Sequence, residues 1–313
     1  MIVVVSHPAD DHATGVLGAL ERAGHPAVLV DTGRFPSQAS LIQRFGDGPP
    51  RWELTVDGSK IDMGECRVAW WRRPQGYTLD PGLAADVTAW TYSECQEAMA
   101  GMWAAIHATW VNPPALDETA HHKPYQLAVA TEVGLRIPRT VITNDVDTAR
   151  AFAEEVGTGR TVYKTFLATE DHWRETRVLR REELYLLDRV RLAPVIFQEY
   201  VQADADVRVT VVGDALFATA IRPAPGGYDV DYRMDLAGAS FEPTDLSPST
   251  ELRLRALMKR LGLVYGAIDL RQTVDDDVFL EVNPAGEWRF VEERTNQPIT
   301  DAMAGLLMSL DRT

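Results

Sequence analysis

Apolar residues recur along this chain with two periods, and the switches between them mark out its elements. Residues 2–6 run apolar as a strand, residues 14–23 take the helical period and stop at Gly24, and residues 27–30 return to a strand. That β-α-β order predicts the opening of an open α/β sheet. The turn at residues 7–12 has no G-x-G-x-x-G, so it does not read as a dinucleotide site, and its His7 and His12 are expected in surface or capping roles rather than as metal ligands. Residues 34–64 are loop-rich, with a hairpin expected at 52–58, and residues 67–73 form a strand closed by Pro74. Between 83 and 108, Val87, Trp90, Met99, Met102, Trp103 and Ile106 fall at helical spacing, which predicts one long helix or two abutting ones with a core of aromatics.

Asn112-Pro113-Pro114 breaks that pattern and sets a first domain boundary. Helical texture resumes at Lys123 and ends at Gly134; a short strand at 139–142 precedes a helix capped by Asn144 that carries Ala149, Phe152, Ala153 and Val156. Lys164 lies in a strand at 161–166, followed by a polar, charged loop at 167–181. Strands are expected at 195–201, 207–212 and 215–222, then a turn at 223–227 and a helix opened by Ser247-Pro248 and closed by Gly262. The domains are therefore drawn at 1–112, 113–194 and 195–313.

The most informative stretch is 265–286. Two runs, 267–273 and 278–283, flank Asp275-Asp276-Asp277, the pattern of a β-hairpin. A turn centred on Asp275 sets Asp269 opposite Glu281, and Asn283 shares their face by the strand period of two. Ile268, Leu270, Leu280 and Val282 form the other, core-facing side. Opposed Cβ atoms sit ~4.5–5.5 Å apart, so two carboxylates there repel unless a cation intervenes. Oxygen-only ligands suit Mg²⁺, or Mn²⁺, held against phosphates; the alternative is a solvated acidic edge hairpin. Lys123 and Lys164 upstream supply the charge that nucleotide phosphates require. The run Phe197-Gln198-Glu199-Tyr200-Val201 reads either as a hinge that meets adenine or as a plain core strand.

Composition narrows the classes. With 313 residues, 45% of them hydrophobic, the chain can bury two or three domain cores. No apolar run approaches the ~20 residues of a membrane span, and the first residues lack the basic region of a signal peptide, so a cytoplasmic location is expected. Cys66 and Cys95, the two cysteines, are expected as inert core thiols. A formal net charge of −15 disfavours nucleic acid and anionic membranes as partners. Arginines beside a metal hairpin in so acidic a chain point to an anion handled there.

The order Lys123, Lys164, Gln198-Glu199-Tyr200-Val201, Asp206-Val207-Arg208, Asp269, Glu281-Val282-Asn283 resembles the ATP-grasp superfamily of carboxylate ligases. Trp70-Trp71-Arg72-Arg73-Pro74, Asn112-Pro113-Pro114, Ile137-Pro138-Arg139-Thr140 and Phe279-Leu280-Glu281-Val282-Asn283-Pro284 are similar, more narrowly, to the graspetide (microviridin-type) peptide maturases. The resemblance implies α/β and α+β architecture: an N-terminal pre-ATP-grasp open α/β domain, then two α+β subdomains gripping ATP. It further implies that Lys123 and Lys164 contact the phosphates, Glu199 and Val201 the adenine edge within the 198–201 segment, Asp206 the ribose, and Asp269, Glu281 and Asn283 the Mg²⁺ ions. Arg208 would meet the γ-phosphate or acyl phosphate, while Arg222 and Arg233 would hold the reacting carboxylate by bidentate bonds. The 167–177 segment has no glycine, a departure from the glycine-rich phosphate loop of many relatives.

The implied reaction is ATP-dependent cross-linking of Asp or Glu side chains of a ribosomal precursor peptide to Thr or Ser hydroxyls or Lys amines. The implied partner is a precursor with a leader and an acidic core, gripped by the N-terminal domain and the 167–181 loop; a homodimer is expected. Competing readings are a glutathione-synthetase-like ligase for small molecules or protein tails, and a nucleotide-binding module without catalysis.

Overall fold

A computed structural model describes residues 1–166, 176–224, 234 and 236–312. Its first sheet has four parallel strands in the order Ala27–Val30, Ile2–Val5, Val68–Trp71, Thr109–Val111. Helix Asp11–Arg22 links the first two strands and begins where the Asp10 carboxylate accepts from the His12 N–H. The predicted β-α-β opening is thus present. The expected hairpin pairs Gly48–Val56 with Ser59–Asp62 around Asp57 and Gly58, whose positive φ angles (50° and 75°) suit a two-residue turn. A third strand, Ala39–Gly46, extends this small sheet. It was not expected, because none of its residues is fully buried and no alternation marks it.

A single helix, Ala85–Ala105, follows. Its second half buries Cys95, Met99, Met102 and Trp103, but Trp90 stays 64% exposed, so the expected aromatic core holds only for the later turns. Cys66 and Cys95 are free and buried, and burial pushes the Cys66 thiol up to about 11.

The second sheet is antiparallel, ordered Arg177–Val178, Thr161–Lys164, Val195–Glu199, Thr140–Thr143. Helix Val146–Val156 covers one face, and its cap is Asp145, which accepts from Thr148 N–H at 2.7 Å, rather than the expected Asn144. Phe197 packs into the core beneath that helix with Ala149, Ala153 and Leu187 and is therefore unavailable to sandwich a base. The strand Val195–Glu199 sits between two strands of this sheet, so a division after 194 would cut through it; the 200–204 link is the natural seam.

The third sheet is antiparallel, ordered Ser240–Pro243, Ala215–Arg222, Ala205–Val212, Tyr265–Gln272, Asp277–Asn283. Helix Pro248–Leu261 lies on it, capped by the Ser247 hydroxyl and stopped by Gly262 at φ 70°. Ala120, Val129 and Ala130, from helices Pro114–Ala120 and Lys123–Glu132, share this core with Leu254, Leu257, Ile268 and Phe279. These two helices thus pack on the third sheet and not on the second, whatever their position in sequence. Each fully buried aliphatic side chain of this kind contributes ~1.5–3 kcal/mol.

The last helix, Ile299–Arg312, returns to the first domain. Ile299, Met303 and Leu307 join Trp288 and Val291 in one core with Ile2, Val4, Val16 and Leu20. The N-terminal sheet is therefore completed by residues from the far end of the chain.

Candidate active site

The hairpin of Tyr265–Gln272 with Asp277–Asn283 brings Asp269 directly opposite Glu281, as the alternation predicted. The pairing slips by one residue between Asp269 and Leu270, so that Leu270 faces Phe279. This bulge corrects the expected core face: Phe279 is buried in place of Leu280, which is half-buried. The bulge also changes which side chains share a face on either side of it, leaving the acidic pair on the side away from the Leu254 core.

Both carboxylates are matched by cations. Arg208 stands opposite Asp269 on the neighbouring strand and donates from Nη1 to both of its oxygens, at 2.8 and 2.9 Å. Lys123 Nζ donates to Glu281 Oε2. Gln126, three residues along the same helix face, accepts from Val282 N–H at 3.0 Å and donates to its carbonyl at 2.8 Å. That pair of bonds ties the helix to the metal strand and sets Lys123 beside Glu281. The donor set of Asp269, Glu281 and Asn283 offers only oxygen to a cation, which fits Mg²⁺. Asn283 Oδ1 accepts from Ala285 N–H at 3.0 Å, the first bond of a tight loop.

That loop is held from three sides by side chains whose part in it no local sequence pattern marks. Arg72 Nη1 donates to the carbonyls of Ala285 and Gly286, both at 2.7 Å, and its Nε to Asp10 at 3.1 Å. Tyr265 Oη donates to Gly286 O at 2.6 Å; burial pushes its phenol up to about 12, so the proton stays. Arg208 Nη2 donates to Glu287 O at 3.1 Å. A Cβ on Gly286 would lie 2.3 Å from that of Ala267, so only glycine fits. Asn112 adds bonds from Nδ2 to Tyr265 O at 2.9 Å and Pro284 O at 3.3 Å. His12 is neither exposed nor a cap: its Nε2 accepts from Trp288 and Arg289 N–H at 3.0 and 3.2 Å. It is a structural tie within an Asp10, Asp11, His12 cluster.

The remaining expected site residues fall as follows. Lys164 ends strand Thr161–Lys164 opposite Ile196, on the face turned away from Phe197 and helix Val146–Val156. Gln198 is buried and donates to Thr140 Oγ1 at 2.9 Å. Glu199, Tyr200 and Val201 line a cavity of about 470 Å³ with Pro138 and Arg160. Asp206 is buried against Arg271 at 3.0 Å, and Arg271 also holds Val201 O at 3.0 Å and Tyr200 Oη at 3.2 Å. The Asp206 carboxylate thus bonds to the arginine that also holds the start of the 200–204 link. Arg222 is out of phase with Thr219, which shares the face of Arg208, and it pairs with Glu242 at 2.9 Å. The pleat therefore separates Arg222 from the acidic pair. Arg233, most of the 167–181 loop and part of the turn at 223–227 lie outside the described residues.

Residues 1–118 match the MvdD pre-ATP-grasp domain family, and residues 120–307 the RimK-like ATP-grasp domain family. The fold is similar to macrocyclase MdnC bound with precursor peptide MdnA, from Microcystis aeruginosa MRC: 30% identity, TM-score 0.88, covering 98% of this chain and 99% of that one. It is also similar to ATP-grasp ligase PsnB complexed with a phosphomimetic variant of minimal precursor, Mg and ADP: 27% identity, TM-score 0.77, covering 99% of this chain and 98% of that one. A probable alpha-L-glutamate ligase 2 of Shewanella amazonensis is 31% identical over 112 residues, 35% of this chain and 36% of that protein's length. The chain belongs to the ATP-grasp superfamily, as a RimK-like ATP-grasp domain behind an MvdD-type pre-ATP-grasp domain, and its kinship is with the graspetide-type maturases.

Proposed function

We propose that this chain is an ADP-forming ligase that activates Asp or Glu side chains of a ribosomal precursor peptide as acyl phosphates and joins them to Thr or Ser hydroxyls or Lys amines. The observation that carries this reading is the Asp269–Glu281 pair with Arg208 and Lys123 already on it. Asp269, Glu281 and Asn283 would hold Mg²⁺, or Mn²⁺, which supplies charge neutralisation on the phosphates of ATP. Lys123 and Lys164 would offset the remaining phosphate charge, Arg208 would meet the transferring phosphoryl group, and the backbone of Glu199 and Val201 would meet adenine.

A carboxylate is a poor electrophile until one oxygen can leave. Its attack on the γ-phosphorus releases ADP and creates that leaving group. The hydroxyl or amine then attacks the carbonyl carbon, loses its proton, and expels phosphate carrying one former carboxylate oxygen. Positioning and charge supply most of the rate in such a scheme. The relatives' names support the peptide as substrate, since MdnC is a macrocyclase bound with a precursor peptide.

The test uses a synthetic precursor peptide with an acidic, threonine-containing core, labelled with ¹⁸O in its Asp and Glu side chains. One label is expected in phosphate per bond formed, ADP as the nucleotide product, and the loss of one water in mass per ring. AMP with pyrophosphate, or unlabelled phosphate, overturns the acyl-phosphate route. A mass gain of one amino acid would instead support the glutamate-ligase alternative. Among the described residues no helix is long and apolar enough to cross a membrane; a cytoplasmic location belongs to this proposal. So does a homodimer, expected to scatter light as twice the 34.8 kDa chain.

A further inference from the structure

A cavity of about 1130 Å³ opens between the first domain and the start of the ATP-grasp region. Trp71, Trp103 and Trp110 line it. These rings pack edge to face in a closed triangle, with centroids 5.8, 6.0 and 6.0 Å apart, so that wall is rigid and aromatic. Helix Ala85–Ala105 presents Ala100 and Ala104 to the same space. They lie four residues apart on one helix face, and both are exposed. The opposite rim holds Lys123, which is also bonded to Glu281 of the metal pair.

From this placement we propose that the cavity is a subsite for an apolar or aromatic side chain of the substrate peptide, seated next to the residue that reacts. The inference rests on the ligase reading and names where its substrate is gripped. Lys123 belongs at once to the cavity and to the catalytic pair, so an occupant lies beside the reaction centre. The lining is two-sided: the tryptophan and alanine wall offers only apolar surface, while Asp117, Glu118, His121 and Lys123 on the other side supply charged and polar partners, so an apolar group belongs on the wall, where a charge would be buried unpaired. An apolar side chain of a peptide on the tryptophan wall, with the peptide's polar groups at the Lys123 side, fits both halves of this lining.

The experiment fills the space from the exposed helix face. Ala104→Trp and, as a milder second variant, Ala100→Leu add bulk where no core packing is disturbed; Ala104→Ser adds almost none. With the same synthetic peptide, the bulky variants are expected to raise the peptide KM by about tenfold or more. Affinity for ATP with Mg²⁺ and kcat at saturating peptide should hold, and Ala104→Ser should behave as wild type. Peptide added to the wild-type protein with ADP and Mg²⁺ should shift tryptophan emission, and the shift should shrink in Ala104→Trp. An unchanged KM in both bulky variants overturns the subsite. So does a lowered oligomeric mass with unchanged KM, which would mean that a second copy of this chain fills the cavity. Failure of the wild-type protein to form any product is a different result: it removes the ligase reading itself.

Discussion

Glu281→Gln is expected to abolish turnover while leaving the fold in place. The amide matches the carboxylate in volume and still offers Lys123 an acceptor, so the tie from helix Lys123–Glu132 to the hairpin, carried mainly by the two Gln126 bonds, persists. What disappears is a full negative charge at the point where Mg²⁺ and the triphosphate meet. Charge stabilisation there is worth several kcal/mol, so ADP formation should fall by about 10³-fold. Both partners are about one-fifth exposed, so the lost ion pair costs little stability and the melting temperature should drop by no more than about 4 °C. Stopped assays for ADP and product, run beside a thermal melt, check both parts. Normal ligation at ordinary Mg²⁺ would remove Glu281 from the metal site.

Arg72→Met should do the opposite: a large loss of stability together with a raised Mg²⁺ requirement. Arg72 and Asp10 side chains are 0% and 1% exposed. Burial pushes the Asp10 carboxyl up, but bonds from His12 and Ser6 and the Arg72 charge outweigh it and hold it well below the usual carboxylate range. Methionine removes the cation and leaves a buried carboxylate, a change that costs ~3–5 kcal/mol. The sign with pH follows. In the wild-type protein the depressed folded value makes Asp10 stabilising above the ordinary carboxylate range, and that contribution fades as pH falls toward the folded value. In the variant the carboxylate is a liability that protonation relieves, so the stability gap should narrow between about pH 7 and pH 4.5. Urea unfolding at both values measures it. A constant gap would mean that lost packing, and not the buried charge, accounts for the damage. The carbonyls of Ala285 and Gly286 also lose their donor, which loosens the loop after Asn283 and should shift the Mg²⁺ dependence of nucleotide binding to higher concentration.

The difference between these two positions shows what the sequence discloses. Asp269 and Glu281 sit in one hairpin, twelve residues apart, and a period of two is enough to pair them. The same period misassigned Leu280, because a bulge after Asp269 adds a residue that no local pattern marks. Arg72 reaches carbonyls more than two hundred positions away. It stood in the Trp70-Trp71-Arg72-Arg73-Pro74 run at the end of a strand, and nothing in periodicity tells a buried clamp from a surface arginine. Arg222 shows the reverse case: the residue type suited a carboxylate, but the pleat turned it to Glu242. Helix packing was hidden for a related reason. The helices at 114–132 follow the first domain in sequence yet share their core with Leu254 and Phe279, and adjacency along a chain carries no information about which sheet a helix will cover.

The return of helix Ile299–Arg312 to the first domain has a consequence for the order of synthesis. A ribosome that has made residues 1–118 has made every strand of the parallel sheet, yet Ile2, Val4, Val16 and Leu20 still lack Trp288, Ile299, Met303 and Leu307 against them. At roughly 5–20 residues per second, the missing face arrives about 10–40 s later. During that interval the nascent domain carries a bare apolar surface, a place for a chaperone to hold, and the first domain closes only after the ATP-grasp region has been made.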